Sequence, residues 1–203
     1  MSFDVYIDGE NFVHRLCDIL IKQKVIKNRT DLKKFDIVGF LEAVLDKTDL
    51  NILYYTTQLR VIKTDKELQK FSEKMVKWNA YWAAWLTSQG VKYIKSGNLK
   101  VRDSHRCRKC GNVDKVFQEK GVDVRLATDI VIASLNQKSS SIALLSSDTD
   151  LLPAVKSSIN SGGKITYIAY ENQVSRGLVA EVSSLKTFSN EEIIDSYKKA
   201  NKK

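Results

Sequence analysis

Hydrophobic runs alternate along the chain with segments whose apolar residues recur at helical spacing. The first run, Phe3–Asp8, predicts a buried strand, and Phe12, Leu16 and Leu20 then share one face of a helix. The same order continues to the C-terminal part, and the later predicted strands are 50–55, 91–94, 142–146 and 165–169. Strands that alternate with helices indicate an α/β fold with a mostly parallel sheet covered on both faces.

The predicted helices begin and end at residues that favour helix termini. Asp36 is placed to cap the second helix, Gly90 follows the third, and a Gly-Gly pair at 162–163 follows a later one. The predicted helices are 11–24, 35–45, 65–88, 122–135, 151–160, 178–182 and 191–200. Residues 96–121 carry the weakest pattern, so we expect a single domain, 1–203, with an excursion at about 96–121.

Composition narrows the class of protein. The 203 residues are 43% hydrophobic and 28% charged, which is typical of a soluble globular chain. No apolar run is long enough for a membrane span, and the N-terminus has no signal-peptide pattern. Three cysteines fit a reducing compartment, so we expect a cytoplasmic protein. The net charge of +9 favours an anionic partner, with nucleic acid as the first candidate.

Acidic residues follow two of the predicted strands. Asp8 ends the first strand, and Asp148 and Asp150 come after the 142–146 strand. Ligands of open parallel sheets bind at the carboxyl ends of the strands, and clustered carboxylates stay ionised together when a cation lies between them. A set of Asp ligands without His suits Mg²⁺. The ordinary alternatives are a turn-forming Asp8 and an Asp150 that caps the following helix.

Three motifs in order extend this pattern over most of the chain. They are DGEN at 8–11, KGVDVRLATD at 120–129 and SSDTDLLP at 146–153, the last before a Gly-Gly-Lys segment. Together they resemble the NYN domain family of the PIN-like nuclease group, and most of all its LabA-like branch. The resemblance implies a Rossmann-like three-layer sandwich and a ribonuclease that depends on Mg²⁺ or Mn²⁺.

The resemblance also implies site residues. The matching catalytic positions are Asp8, Asn11, Asp123, Asp129, Asp148 and Asp150. Metal ligation falls to Asp8, Asp123, Asp148 and Asp150. Asn11 would bind a phosphate oxygen or position Asp8. Six helical residues separate two side chains by ~9 Å and about 240°, so Asp123 and Asp129 cannot both face one ion on a regular helix. We rank Asp123 first, in the first turn or the loop before it. Ser147 and Leu151 depart from the usual Gly and Phe of the family.

Positive charge is concentrated in residues 92–115, which hold eight Lys and Arg against two Asp. The candidate nucleic-acid contacts are Lys92, Lys95, Lys100, Arg102, Arg106, Arg108 and Lys109. A solvated charge run is the simpler interpretation. However, the segment joins a strand to the acid-bearing helix, and a basic flank beside an acidic centre suits a phosphodiester substrate.

The same segment contains a CxxC pair, Cys107 and Cys110, preceded by His105. These three residues are half of a zinc ribbon without its second CxxC. A Zn²⁺ ion shared between the subunits of a homodimer, an incomplete site and a plain turn are the alternatives. Cys17 lies on the apolar face of the first helix, so we expect it in the core.

An aromatic stripe on the third helix also has two interpretations. Trp78, Tyr81, Trp82 and Trp85 share one face, which is typical of a core or dimer contact and less often of a base-stacking platform. Polar residues 56–58 follow the second strand and would line the cleft as substrate contacts. We therefore predict a metal-dependent ribonuclease that acts on single-stranded RNA without a membrane partner, with a non-catalytic nucleic-acid-binding module as the alternative.

Overall fold

The computed structural model describes residues 3–63, 66–103, 110–111, 115–136 and 141–202, which form one sheet with helices on both faces. The strands are β1 (Phe3–Asp8), β2 (Leu50–Gln58), β3 (Lys92–Asp103), β4 (Lys115–Lys120), β5 (Ser141–Leu145), β6 (Lys164–Tyr170) and β7 (Ser184–Phe188). They lie in the order β4-β3-β2-β1-β5-β6-β7. Neighbours are parallel except β3 and β4, which are antiparallel. The mostly parallel sheet predicted from the sequence is confirmed.

The helices divide between two hydrophobic cores, one on each face of the sheet. They are α1 (Gly9–Lys22), α2 (Ile37–Leu45), α3 (Lys66–Ser88), α4 (Val122–Asn136), α5 (Leu152–Asn160), α6 (Arg176–Glu181) and α7 (Asn190–Asn201). Side chains from α1, α2, α3 and α7 fill one core, and those from α4, α5 and α6 fill the other. In β1, Val5 and Ile7 face the first core and Tyr6 faces the second. This is the three-layer α/β sandwich, and burial on both faces explains the continuous apolar runs.

The excursion expected at 96–121 is in its described part a β-ribbon. Strand β3 continues to Asp103, and β4 returns beside it in antiparallel register. Gly97 has φ of 73°, and a Cβ there would lie 2.2 Å from the Lys120 carbonyl oxygen. Only glycine therefore permits this close approach at the base of the ribbon. The third strand predicted to end at 94 is thus nine residues longer, and β4 was missed.

The Trp residues of α3 lie in the core. Trp78 donates to the Leu32 carbonyl at 2.7 Å, and Trp85 donates to the Phe35 carbonyl at 2.8 Å. Trp82 is fully buried and donates to the Tyr54 hydroxyl at 3.2 Å. Tyr81 is the exception because it is 62% exposed. The core interpretation of the stripe is therefore correct for Trp78 and Trp82, whose burial leaves no face for a base, and Trp85 packs against the same core while partly buried.

Cys17 and the described helices bear on two further expectations from the sequence. Cys17 is buried in the first core, as its place on α1 predicts. Among the described helices, none has both the length and the apolar character that crossing a bilayer requires.

Candidate metal centre

The junction between β1 and α1 brings the first carboxylate to the carboxyl edge of the sheet. Helix α1 begins directly after the strand, and Asp8 is its N-cap. A Cβ on Gly9 would lie 2.4 Å from both the Tyr55 carbonyl oxygen and the Tyr54 ring. The Tyr54 hydroxyl also donates to the Gly9 carbonyl at 2.9 Å. The absence of a side chain at Gly9 therefore lets the helix start against β2, which fixes the position of Asp8.

Asp8 is a buried acid held by two hydrogen bonds. It is 6% exposed, and its oxygens accept from the Asn11 backbone N–H at 3.1 Å and the Ser146 hydroxyl at 3.0 Å. Burial raises the pKa of Asp8 to about 6, despite these hydrogen bonds, and the charges of Asp123 and Asp148 act in the same direction. Ionising the Asp8 carboxyl in the folded chain is therefore unfavourable unless a cation binds beside it.

Asp148 follows β5, the strand beside β1. It caps a 3₁₀ turn, accepting from the Asp150 backbone N–H at 2.8 Å, while its own N–H donates to the Ser146 hydroxyl at 3.1 Å. Ser146 therefore ties Asp8 and Asp148 together. Helix α5 has no side-chain cap, so the alternative in which Asp150 caps it is wrong. Asp150 is exposed, and it is close enough for its charge to raise the pKa of Asp123.

Asp123 lies in the first turn of α4 and completes the group. Asp8, Asp123 and Asp148 offer carboxylate oxygens that all lie within 4.8 Å of one another. Partial burial raises the pKa of Asp123, and the charges of Asp148 and Asp150 raise it further. Among the described residues, no Lys or Arg lies within 4.0 Å of these three acids. Three carboxylates at this spacing without a basic partner fit a hard divalent cation.

Asp129 is engaged elsewhere. It accepts a hydrogen bond from the Tyr55 hydroxyl at 2.8 Å and forms an ion pair with Arg125 at 2.8 Å. It is not part of the cluster of three acids. The geometry therefore does not support its inclusion among the catalytic residues, and it favours the alternative of a salt-bridge partner.

Asn11 contacts Asp8 through its backbone and not through its side chain. Its amide nitrogen donates to the Ser147 hydroxyl at 2.9 Å, and its amide oxygen accepts from the Ser147 backbone N–H at 3.3 Å. The side chain therefore joins the start of α1 to the loop after β5. Ser147 is one of the two positions at which the chain departs from the usual family motif.

An open cleft of about 300 Å³ lies beside Asp8 and Asp123 of the cluster. Its lining residues are Asp8, Glu10, Asn11, His14, Arg15 and Asp123. His14 and Arg15 were not predicted as site residues, although their spacing of three and four residues from Asn11 places all three on one helix face. Arg15 is held by a hydrogen bond to Gln173, and its guanidinium lies 5.5 Å from the centre of the Tyr170 ring.

The predicted basic contacts are described only in part. Lys92, Lys95 and Arg102 are exposed on β3, and Arg102 lies in the ribbon beyond the end of β2. The Lys100 side chain, Arg106, Arg108 and Lys109 lie outside the described residues, as do His105 and Cys107. Cys110 is an exposed free thiol. The zinc prediction therefore has no support from the described part of the chain.

The sheet and the acids at its carboxyl edge define an α/β protein with a candidate divalent-metal centre. The NYN domain family matches residues 3–187, and the chain belongs to this family, which is nuclease-like and part of the PIN-like group. No curated protein matches the chain. The crystal structure of VPA0982, a protein of unknown function from Vibrio parahaemolyticus, is similar with a TM-score of 0.52, 13% identity and 92% of each chain covered. At this identity the similarity supports the fold alone.

Proposed function

We propose that the chain is a divalent-metal-dependent ribonuclease of the LabA-like branch, which hydrolyses phosphodiester bonds in single-stranded RNA. The observation that carries this proposal is the convergence of Asp8, Asp123 and Asp148 without a basic partner within ion-pair distance among the described residues. A cluster of negative charge in a cleft repels nucleic acid. It is therefore of use to a nucleic-acid enzyme only as a cation site.

The residues divide the work by position. Asp8, Asp123 and Asp148 would hold Mg²⁺ or Mn²⁺, which supplies Lewis acidity and an activated water when bound. Asp150, exposed beside them, would orient water or contribute to a second ion site. Asn11 keeps α1 and the loop after β5 in register through Ser147, so it holds Asp8 and Asp148 at a fixed separation.

Substrate binding is assigned to the basic ribbon. Arg102 is exposed in the part of β3 that pairs with β4, and Lys95 is exposed earlier on β3, where the strand pairs with β2. Cationic side chains contact the phosphate backbone regardless of sequence. We propose that residues 1–203 act as one NYN/PIN-like unit in which the ribbon holds RNA and the acidic edge cuts it.

A cleavage assay with matched variants tests the proposal. Single-stranded RNA labelled at its 5′ end is incubated with Mg²⁺ or Mn²⁺ and with wild type, Asp8→Asn, Asp148→Asn or Asp195→Asn. Asp195 is an exposed acid on α7 and serves as the control. We expect Asp8→Asn and Asp148→Asn to lose at least about a hundredfold in rate, and Asp195→Asn to retain wild-type activity.

The alternative, a non-catalytic nucleic-acid-binding module, gives a different result. In that case the wild type binds RNA and never cuts it with either metal, and Asp8→Asn binds more tightly because a repulsive charge is gone. That pair of results would overturn the enzyme proposal.

A further inference from the structure

A second cavity lies beside the metal cleft and has no role in the function proposed so far. It encloses about 270 Å³ between the end of β2, one face of α3 and Leu99 of the ribbon. Its walls are mainly apolar, and the apolar lining residues are Leu59, Phe71, Met75, Val76 and Leu99. A concave apolar site with a few polar groups is the usual form of a small-ligand or base pocket.

Seven of the twelve residues that line the cavity are polar or charged, among them the exposed Arg60, and two of the seven are candidate base contacts. Thr57 is 5% exposed, and its hydroxyl has no hydrogen-bond partner among the described residues. Asn79 accepts from the Tyr93 hydroxyl at 2.7 Å, which leaves its NH₂ group as the donor to a ligand. A buried hydroxyl without a partner costs free energy that a bound polar ligand would recover.

Glu10 forms the wall between the cavity and the metal cleft, since it lines both. Both of its carboxylate oxygens are bound by Arg29, at 2.7 Å for the longer contact. The Arg29 guanidinium in turn lies 4.5 Å from the centre of the Trp78 ring. This arrangement fixes the Glu10 side chain and occupies the oxygens that a metal would otherwise use.

The cavity and the metal centre share the carboxyl edge of the sheet. The centre lies at β1 and β5, and the cavity lies at β2 and β3. Adjacent strands are ~4.8 Å apart, so the two sites are separated by about two strand spacings, roughly 10 Å. A nucleotide can span such a distance between its phosphate and its base.

We propose that this cavity is a nucleobase subsite that takes one unpaired base of the strand whose phosphate lies at the metal centre. Its placement in a reaction rests on the proposed ribonuclease function. The flat apolar faces of a base would pack against Phe71 and Met75, while Thr57 and Asn79 would contact its polar edge. A base in a duplex cannot enter without being unstacked and unpaired, so the cavity selects single strands.

Binding of abasic oligonucleotides tests the subsite. Fluorescence anisotropy in EDTA would measure the affinity for RNA pentamers that are intact or lack the base at one position. For wild type and for Asp8→Asn, we expect loss of one particular base to weaken binding about tenfold, within the range for a stacked base. Loss of other bases should have a smaller effect.

Two variants and a control locate the effect in the cavity. Met75→Trp fills the space and Phe71→Ala removes one wall, so both should bind the intact and abasic pentamers equally. Tyr81→Trp is the control because Tyr81 lies on the same helix, outside the cavity lining. Wild type that binds every pentamer equally, or two folded cavity variants that keep the discrimination, would overturn the subsite.

The outcomes separate the subsite from the ribonuclease proposal. Base-dependent binding without cleavage in any metal would support the cavity and overturn the nuclease. Cleavage that Met75→Trp leaves unchanged, together with equal binding of all pentamers, would overturn the subsite and leave the nuclease standing.

Discussion

The charge of Asp8 destabilises the metal-free fold, although the same charge is needed to bind a cation. Asp8 is buried beside two other acids, with no Lys or Arg within ion-pair distance among the described residues. Its two hydrogen bonds offset only part of the cost of burying its charge. The metal-free protein therefore contains a charge that destabilises the fold at neutral pH and that only a bound cation compensates.

The Asp8→Asn variant should be more stable than wild type without metal at neutral pH. The pKa of Asp8 is raised from its ordinary value of 3.8 to about 6 in the fold, so protonation favours the folded state. The corresponding stability is present below pH ~3.8 and is lost as the pH rises through about 6. We expect the variant to gain up to about 3 kcal/mol over wild type at pH 7.5 and only about 1 kcal/mol at pH 4.5, where the unfolded carboxyl is ionised and the folded one is still protonated.

Urea unfolding in EDTA at both pH values would measure this difference. Saturating Mn²⁺ provides the internal control, because it should stabilise wild type and leave Asp8→Asn almost unchanged. A wild type that is equally stable relative to Asp8→Asn at both pH values would show that burial does not penalise this carboxylate.

Variants of Asn11 and Ser147 distinguish the contact made by the Ser147 side chain from the one made by its backbone N–H. The Ser147 backbone N–H donates to Asn11, so Ser147→Gly retains one of the contacts, whereas Asn11→Ala removes all of them. We expect cleavage to fall about tenfold in Asn11→Ala and less than threefold in Ser147→Gly. Initial cleavage rates at saturating Mn²⁺ would measure this difference. Equal rates for the two variants would exclude a role for the Asn11 side chain in positioning Asp8 and Asp148.

At the scale of elements, the sequence predicted the buried strands and most helices because both faces of the sheet are apolar. The place of Asp8 and Asp148 followed from adjacent parallel strands that end at the same edge. Two strands escaped prediction: β4 lies in a polar ribbon, and β7 is an edge strand in which only Phe188 is buried. The cavity was also unpredictable, since it depends on how α3 crosses the ends of β2 and β3.

The β1–α1 junction should not tolerate a larger residue at Gly9. In Gly9→Ala the added methyl meets the Tyr55 carbonyl and the Tyr54 ring at 2.4 Å, so helix and strand must separate. We expect a loss of at least about 2 kcal/mol in the free energy of unfolding, together with weaker metal binding. Gly177→Ala is the matched control, because there the nearest atom is a Leu152 methyl at 3.3 Å. Equal free energies of unfolding for Gly9→Ala and Gly177→Ala would contradict this explanation.

At the scale of the whole molecule, the net charge of +9 averages two opposed regions. The acids gather at the carboxyl edge around Asp8, and the segment 92–115 supplies an excess of six positive charges. The basic segment 92–115 therefore attracts a polyanion such as RNA. The acidic edge around Asp8 repels it unless a cation is bound there. Binding should be governed by salt and cleavage by metal.

Neutralising the β3 cations should change the salt dependence of RNA binding. Lys95→Gln with Arg102→Gln should lower the affinity and reduce the slope of log K against log salt by up to about 0.7 for each lost phosphate contact. Lys164→Gln, at the opposite end of the sheet on β6, is the control. Anisotropy titrations at four salt concentrations in EDTA measure the slopes, and an unchanged slope in the double variant would place the RNA elsewhere.

The hydrogen bonds around Tyr54 give the protein an optical reporter of its own. The Trp82 indole donates to the Tyr54 hydroxyl, which donates to the Gly9 carbonyl, one residue from Asp8. A cation that binds Asp8 should displace these linked hydrogen bonds and change the fluorescence emission of Trp82. Trp78 and Trp85 donate to the Leu32 and Phe35 carbonyls instead, so their emission should not respond. Fluorescence titration would therefore yield ion affinities without any substrate, and Trp82→Phe should silence the signal.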